Sequence, residues 1–233
     1  GAIWKAAREV GGDFYDFIPL PAGPDGPRWG IAIADVADKG VPAALFMALC
    51  RTLLRSVAIH RTDPGKALAR LNELILSDTK TDLFVSVLYA IWEPQTGRLS
   101  YANAGHNPPL LFKPEVPAVV LKEHGMVLGV SEQVTFNTKT FTIPQGGLLL
   151  LYTDGVTEAM DPDGQFFGVP RLEALVLGLE DWNGQHVASQ IGSRIPAFTG
   201  EPDLSDDLTA VVLHRQSQSA AGAPSSREQQ HGV

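Results

Sequence analysis

The chain has 233 residues, 44% of them hydrophobic, and 26 acidic against 18 basic side chains give it a formal net charge of -8. That size allows one large domain with a full core, and the acidic balance sets the surface against nucleic-acid phosphates and anionic lipid heads. A single cysteine, Cys50, excludes a disulfide framework and a cysteine-rich zinc site, and no apolar run approaches the ~18 residues of a membrane span, so the reading is a cytoplasmic protein with no nucleic-acid and no membrane partner.

The start is abrupt: residues 3–6 already read as a strand, which predicts a further segment upstream of residue 1. Strands are predicted at 13–20 and 29–36, joined by a wide loop because Pro21, Gly23, Pro24, Gly26 and Pro27 cluster between them. A helix is predicted over 41–59, where Leu45, Leu49, Leu53 and Val57 recur as a buried stripe and Cys50 joins the core. The next helix, to about residue 79, has Asp63 as its N-cap, Pro64 at its first position, and Leu68, Leu71, Leu74 and Ile75 as its buried face.

From residue 84 the apolar period becomes two. Strands follow at 84–92, 98–104, 108–113, 117–121, 134–143 and 147–153, then helices near 170–180 and 184–196, and a last strand at 208–214. Residues 1–215 therefore read as one domain, and 216–233, almost without large apolar side chains, as a disordered tail. Strands and helices do not alternate as βαβ units do, so the class is α+β, with two antiparallel sheets packed together and helices outside.

The candidates for chemistry are acids at the ends of apolar runs: Asp13 and Asp16 in GGDFYD, Asp35 in IAIADVADKG, Asp154 in LLLLYTDGVTEA, and Asp206 with Asp207 in SDDLTAVVL. Each alone could simply bond its own loop backbone. Brought together, carboxylates would repel unless a cation neutralised them, and an all-oxygen set suits Mg²⁺ or Mn²⁺ rather than Zn²⁺. Two such ions, about 3.5 to 4 Å apart, can activate water and clamp a phosphoryl group.

GGDFYD, DVADKGVPAALFMA, YANAGHNPPLLF, GMVLGV, LLLYTDGVTEAMD with FFGVPRL, and SDDLTAVVL occur in the order and spacing of the bacterial metal-dependent serine/threonine phosphatases of the PPM family, SpoIIE/RsbU branch, which the chain resembles from about residue 6 to 214. The resemblance implies an αββα sandwich, two divalent ions, Mn²⁺ or Mg²⁺, and hydrolysis of phosphoserine or phosphothreonine in a partner protein such as a phosphorylated anti-sigma-factor antagonist of a partner-switching pathway, with an upstream sensor. It also implies that Asp13, Asp35, Asp154 and Asp206 are the catalytic ligands, with Asp35 bridging and the backbone carbonyl of Val36 contributing, and with Asp16 and Asp207 as second choices. Gly11, Gly12 and Gly155 would let backbone approach the site closely.

Three positions depart from that pattern or extend it. Ala37 stands where eukaryotic relatives carry a histidine that protonates the leaving group, so water takes that task. Asp38 stands where the branch usually has glycine. Arg8, five residues before Asp13, matches the spacing of a phosphate-binding arginine in those relatives, or is a solvated surface residue. His106 in NAGHNPP reads either as a catalytic group or as a histidine bonding turn backbone. The competing functions are an inactive binding module of the same fold and a two-metal hydrolase of small phosphoesters.

Overall fold

The computed structural model describes residues 1–78, 82–114, 116–200 and 204–217. Of the expected tail, residues 218–233 lie outside the described residues. In chain order the elements are β1 (Ala2–Lys5), β2 (Phe14–Gly23), β3 (Gly26–Val36), α1 (Val41–Ala58), α2 (Pro64–Asp78), β4 (Val85–Glu93), β5 (Arg98–Ala104), β6 (Leu110–Lys113), β7 (Val116–Val120), β8 (Lys139–Thr142), β9 (Leu148–Tyr152), α3 (Asp154–Thr157), α4 (Gly168–Leu177), α5 (Gly184–Thr199) and β10 (Leu208–His214).

The strands form two five-stranded sheets, β1-β10-β9-β6-β7 and β2-β3-β4-β5-β8, antiparallel throughout. Alternation along β3 explains the layering. Ile31 and Ile33 point toward the other sheet and pack with Leu88, Leu149, Leu151 and Val211, whereas Ala32, Ala34 and Val36 face α1 and α2 with Phe46, Cys50, Leu54, Leu68 and Leu71. A third core, with Leu150, Tyr152 and Val212 against Leu172, Val187 and Ile191, joins the first sheet to α4 and α5. The result is the expected α+β fold, an αββα sandwich of helices, two sheets and helices.

Several boundaries differ from those predicted. Residues 24 and 25 alone separate β2 from β3, so the hairpin loop is tight and not wide. The strand expected at 134–143 is paired only over Lys139–Thr142. The buried face of α1 is Ala43, Phe46, Cys50, Leu54 and Val57, while Leu45 is 69% exposed. Residues four apart drift about 40° round a helix per step, so a strict four-residue run cannot hold one face.

α1 also corrects the expectation about apolar runs: its 18 residues have a mean hydropathy of 1.4, enough by length and composition to cross a membrane. Here its buried stripe packs on a sheet, and Arg51 and Arg55 pair with Asp16.

Candidate metal centre

Antiparallel pairing fixes where the four principal acids meet. The start of β2 lies beside the end of β3, with Phe14 opposite Ala34, and the end of β9 lies beside the start of β10, with Tyr152 opposite Ala210. Asp13 immediately precedes β2, Asp35 is near the end of β3, Asp154 follows β9 and Asp206 precedes β10. One rim of the sandwich thus carries two acids from each sheet.

Asp13 is 2% exposed, and its Oδ2 accepts hydrogen bonds from Thr153 Oγ1 (2.7 Å) and Thr209 Oγ1 (2.6 Å). Thr209 lies in β10 of the opposite sheet and Thr153 directly follows β9 there, so this carboxylate joins the layers as well as facing the rim. Burial and then the charge of Asp35 push its pKa up to about 9, against the opposing pull of the two hydroxyls. Burial, then Asp154 and Asp206, raise Asp35 to about 7, while a hydrogen bond with Asp13 opposes the shift. Asp154 is raised by burial, Asp206 and Glu158, against the Gly155 amide and Lys39.

The convergence needs close backbone approach. A Cβ on Gly155 would stand 2.0 Å from the Asp207 carbonyl oxygen, and one on Gly12 would stand 3.0 Å from the Val36 carbonyl oxygen, so both glycines serve the rim by lacking a side chain. Asp38 takes a left-handed φ of 79°, the conformation that glycine adopts freely, and its Oδ1 accepts the Lys39 amide at 2.8 Å.

The second-choice ligands are engaged elsewhere. Asp16 points to the other side of its sheet, where Arg55 donates to both its oxygens and Arg51 stands 3.2 Å away. Burial would raise its pKa, but the two guanidiniums outweigh that and hold it low. Asp207 accepts the backbone amides of Ala7 (2.8 Å), Gly12 (2.7 Å) and Asp13 (3.3 Å), and so ties the 7–13 segment to β10.

Arg8 is exposed within that segment. His106 is 3% exposed, bonds Ser86 Oγ at 2.8 Å, and has its backbone held on both sides by the Asn103 amide. Burial lowers its pKa to about 3. Its ring therefore packs beside the Ser86 strand, bonding a hydroxyl and not turn backbone, and its buried Nε2 has no hydrogen-bond partner among the described residues.

Sequence reasoning missed Lys39, whose Nζ lies 2.9 Å from Asp206 Oδ1, and the threonine pair that holds Asp13. Thr153 precedes Asp154 and Thr209 stands two residues after Asp207, but only the stacking of the sheets makes them neighbours of Asp13.

As they stand, no three His, Cys, Asp or Glu side chains among the described residues enclose an ion. The donor set nevertheless suits a hard divalent cation. It is all oxygen, and burial together with mutual repulsion raises the proton affinity of Asp13 and Asp35, a cost that a bound divalent cation would relieve. An open groove of about 520 Å³ runs along β2, lined by Trp4, Tyr15, Asp16, Met47 and Arg51 and by Asp13 alone of the four rim acids. A second cavity of about 510 Å³, beside Trp92 and Arg215, contains none of the rim acids.

Comparison with known proteins follows the same pattern. The family described as Stage II sporulation protein E (SpoIIE) matches residues 25–216. Phosphoserine phosphatase RsbU of Bacillus subtilis (strain 168) is 29% identical over 217 residues, covering 93% of this chain, and the chain spans 63% of the length of that relative. In fold, the SiaA-PP2C domain of Pseudomonas aeruginosa gives a TM-score of 0.79 at 22% identity, covering 92% of this chain and 85% of that one. RsbX in complex with magnesium gives 0.63 at 18% identity, covering 91% and 92%.

Proposed function

Since this chain belongs to the SpoIIE family, we propose that it is a metal-dependent protein phosphatase that hydrolyses phosphoserine or phosphothreonine in a partner protein. The observation that carries the reading is the convergence at one rim of Asp13, Asp35, Asp154 and Asp206, with proton affinities raised by burial and by one another. Asp35, which feels all of the others, would hold divalent ions, Mn²⁺ or Mg²⁺, together with Asp13, Asp154, Asp206 and the Val36 carbonyl. The chemistry that a divalent pair supplies when bound is Lewis-acid activation of water and neutralisation of phosphoryl charge.

The chain's own residues do the positioning. Thr153 and Thr209 fix the Asp13 carboxylate, and Asp207 anchors the loop that carries it. Ala37 supplies no acid, so a solvent proton must serve the leaving group. The open groove along β2, which Asp13 alone of the four rim acids lines, would take a chain segment of a protein substrate; Arg8, on the bend before Asp13, is the proposed phosphate-binding cation.

The relative called a phosphoserine phosphatase supports a phosphoserine substrate; the motif resemblance extends the proposal to a phosphorylated protein of the anti-sigma-factor-antagonist kind, in the cytoplasm. Residues 1–215 form the phosphatase domain in this reading. The test is phosphate release from a phosphoserine protein and from para-nitrophenyl phosphate. Release that needs Mn²⁺ or Mg²⁺, stops in excess chelator and drops to background in Asp154→Asn supports the reading. A metal-saturated wild type that binds a phosphoprotein without hydrolysing either substrate would instead mark an inactive binding module.

A further inference from the structure

Lys39 occupies the rim in a way that the proposed phosphatase chemistry does not require. Its ammonium lies 2.9 Å from Asp206 Oδ1 and donates to the Ser205 carbonyl at 3.0 Å. The backbone aims it there. Asp38, in the left-handed region, accepts the Lys39 amide, and Gly40, with φ 87°, turns the chain at once into α1. Among the described residues the other rim acids have no cation in contact: Asp13 is held by hydroxyls, Asp35 sits among like charges, and Asp154 feels Lys39 only through its charge.

We propose that Lys39 is a tethered counter-cation of Asp206, which competes with the divalent ion for that carboxylate and so sets the metal affinity of the site. The inference rests on the proposed metal centre. Asp206 Oδ1 accepts both the Lys39 ammonium and the Asp207 amide at 2.9 Å, so its lone pairs are engaged and a divalent ion approaching that oxygen would meet the repulsion of a positive charge at contact distance, while a lysine fixed by its own backbone stays at hand. Asp206 is also the most accessible of the partners, with 44% of its side chain exposed against 40% for Lys39, so the exchange takes place in water and needs no opening of the core.

The test is calorimetric titration of the purified chain with Mn²⁺, comparing wild type with Lys39→Met and Lys39→Arg. Loss of a half-exposed ion pair predicts Mn²⁺ binding about two- to fivefold tighter in Lys39→Met, and near wild-type binding in Lys39→Arg. Equal or weaker binding by Lys39→Met overturns the proposal. A second readout, the side-chain ammonium resonance of Lys39 during Mg²⁺ titration, must move with the calorimetric affinity; a resonance unmoved at saturating Mg²⁺ overturns it even if the affinity changes. If wild type takes up no Mn²⁺ at all, the metal centre itself fails, and this inference fails with it; binding that is unchanged by Lys39→Met defeats the counter-cation alone.

Discussion

At the scale of residues, the carboxylates lead to a pH prediction. Asp13 and Asp35 hold their protons more tightly in the folded chain than at the ordinary value of 3.8, so the stability they contribute is complete below that pH and is lost as pH rises through about 7 and about 9. His106 works on the other side. Lowered from 6.5 to about 3, it contributes stability above 6.5 that is lost as pH falls. Above pH 6.5 only the falling limb of the pair remains between these groups. The melting temperature of the metal-free protein should therefore drop from pH 6.5 to about 9, and saturating Mg²⁺ should flatten that drop by replacing protons on the same oxygens. Parallel curves with and without Mg²⁺ would contradict it. The aspartates themselves were legible because each lies where an apolar strand begins or ends. Which of them face the rim was not: Asp13 and Asp16 are three residues apart on one strand start, and only the pleat sends one to the rim and the other to α1.

At the scale of elements, α1 is fastened to β2 at a defined point. The 4% exposed carboxylate of Asp16 receives Arg55 through two hydrogen bonds and Arg51 through a longer contact, while both arginines keep part of their surface in water. Removing Arg55 leaves a buried carboxylate short of its main partner. Urea denaturation of Arg55→Met should show a loss of about 1–3 kcal/mol, and of Arg51→Met a smaller one, because Arg55 supplies the two-pronged contact. Equal losses would show that the pairing geometry does not matter. Asp63 was legible as the start of α2, and its Oδ1 indeed accepts the Lys66 amide at 2.9 Å; Thr138, which also donates to it, arrives from 75 residues away and could not be foreseen. The buried face of α1 was misread because leucine spacing alone does not show which helical face meets a sheet. Phe46 and Leu54, on the true face, are no more apolar than the exposed Leu45.

At the scale of the whole molecule, the change from helical to strand period at residue 84 and the absence of βαβ alternation were enough to foresee two antiparallel sheets with helices outside. The pairing order was not, since it depends on long-range contacts such as β1 with β10, more than 200 residues apart. That crossover is what brings Asp206 and Asp154 over Asp13 and Asp35, and the account rests on these four forming one metal centre. The most direct measurement is the anomalous diffraction of Mn²⁺-loaded crystals. The account predicts two manganese peaks at the rim, with carboxylate oxygens of Asp13, Asp35, Asp154 and Asp206 at about 2.1 Å and Lys39 turned away from Asp206. Manganese bound elsewhere, or a rim without manganese at saturating concentration, would contradict it.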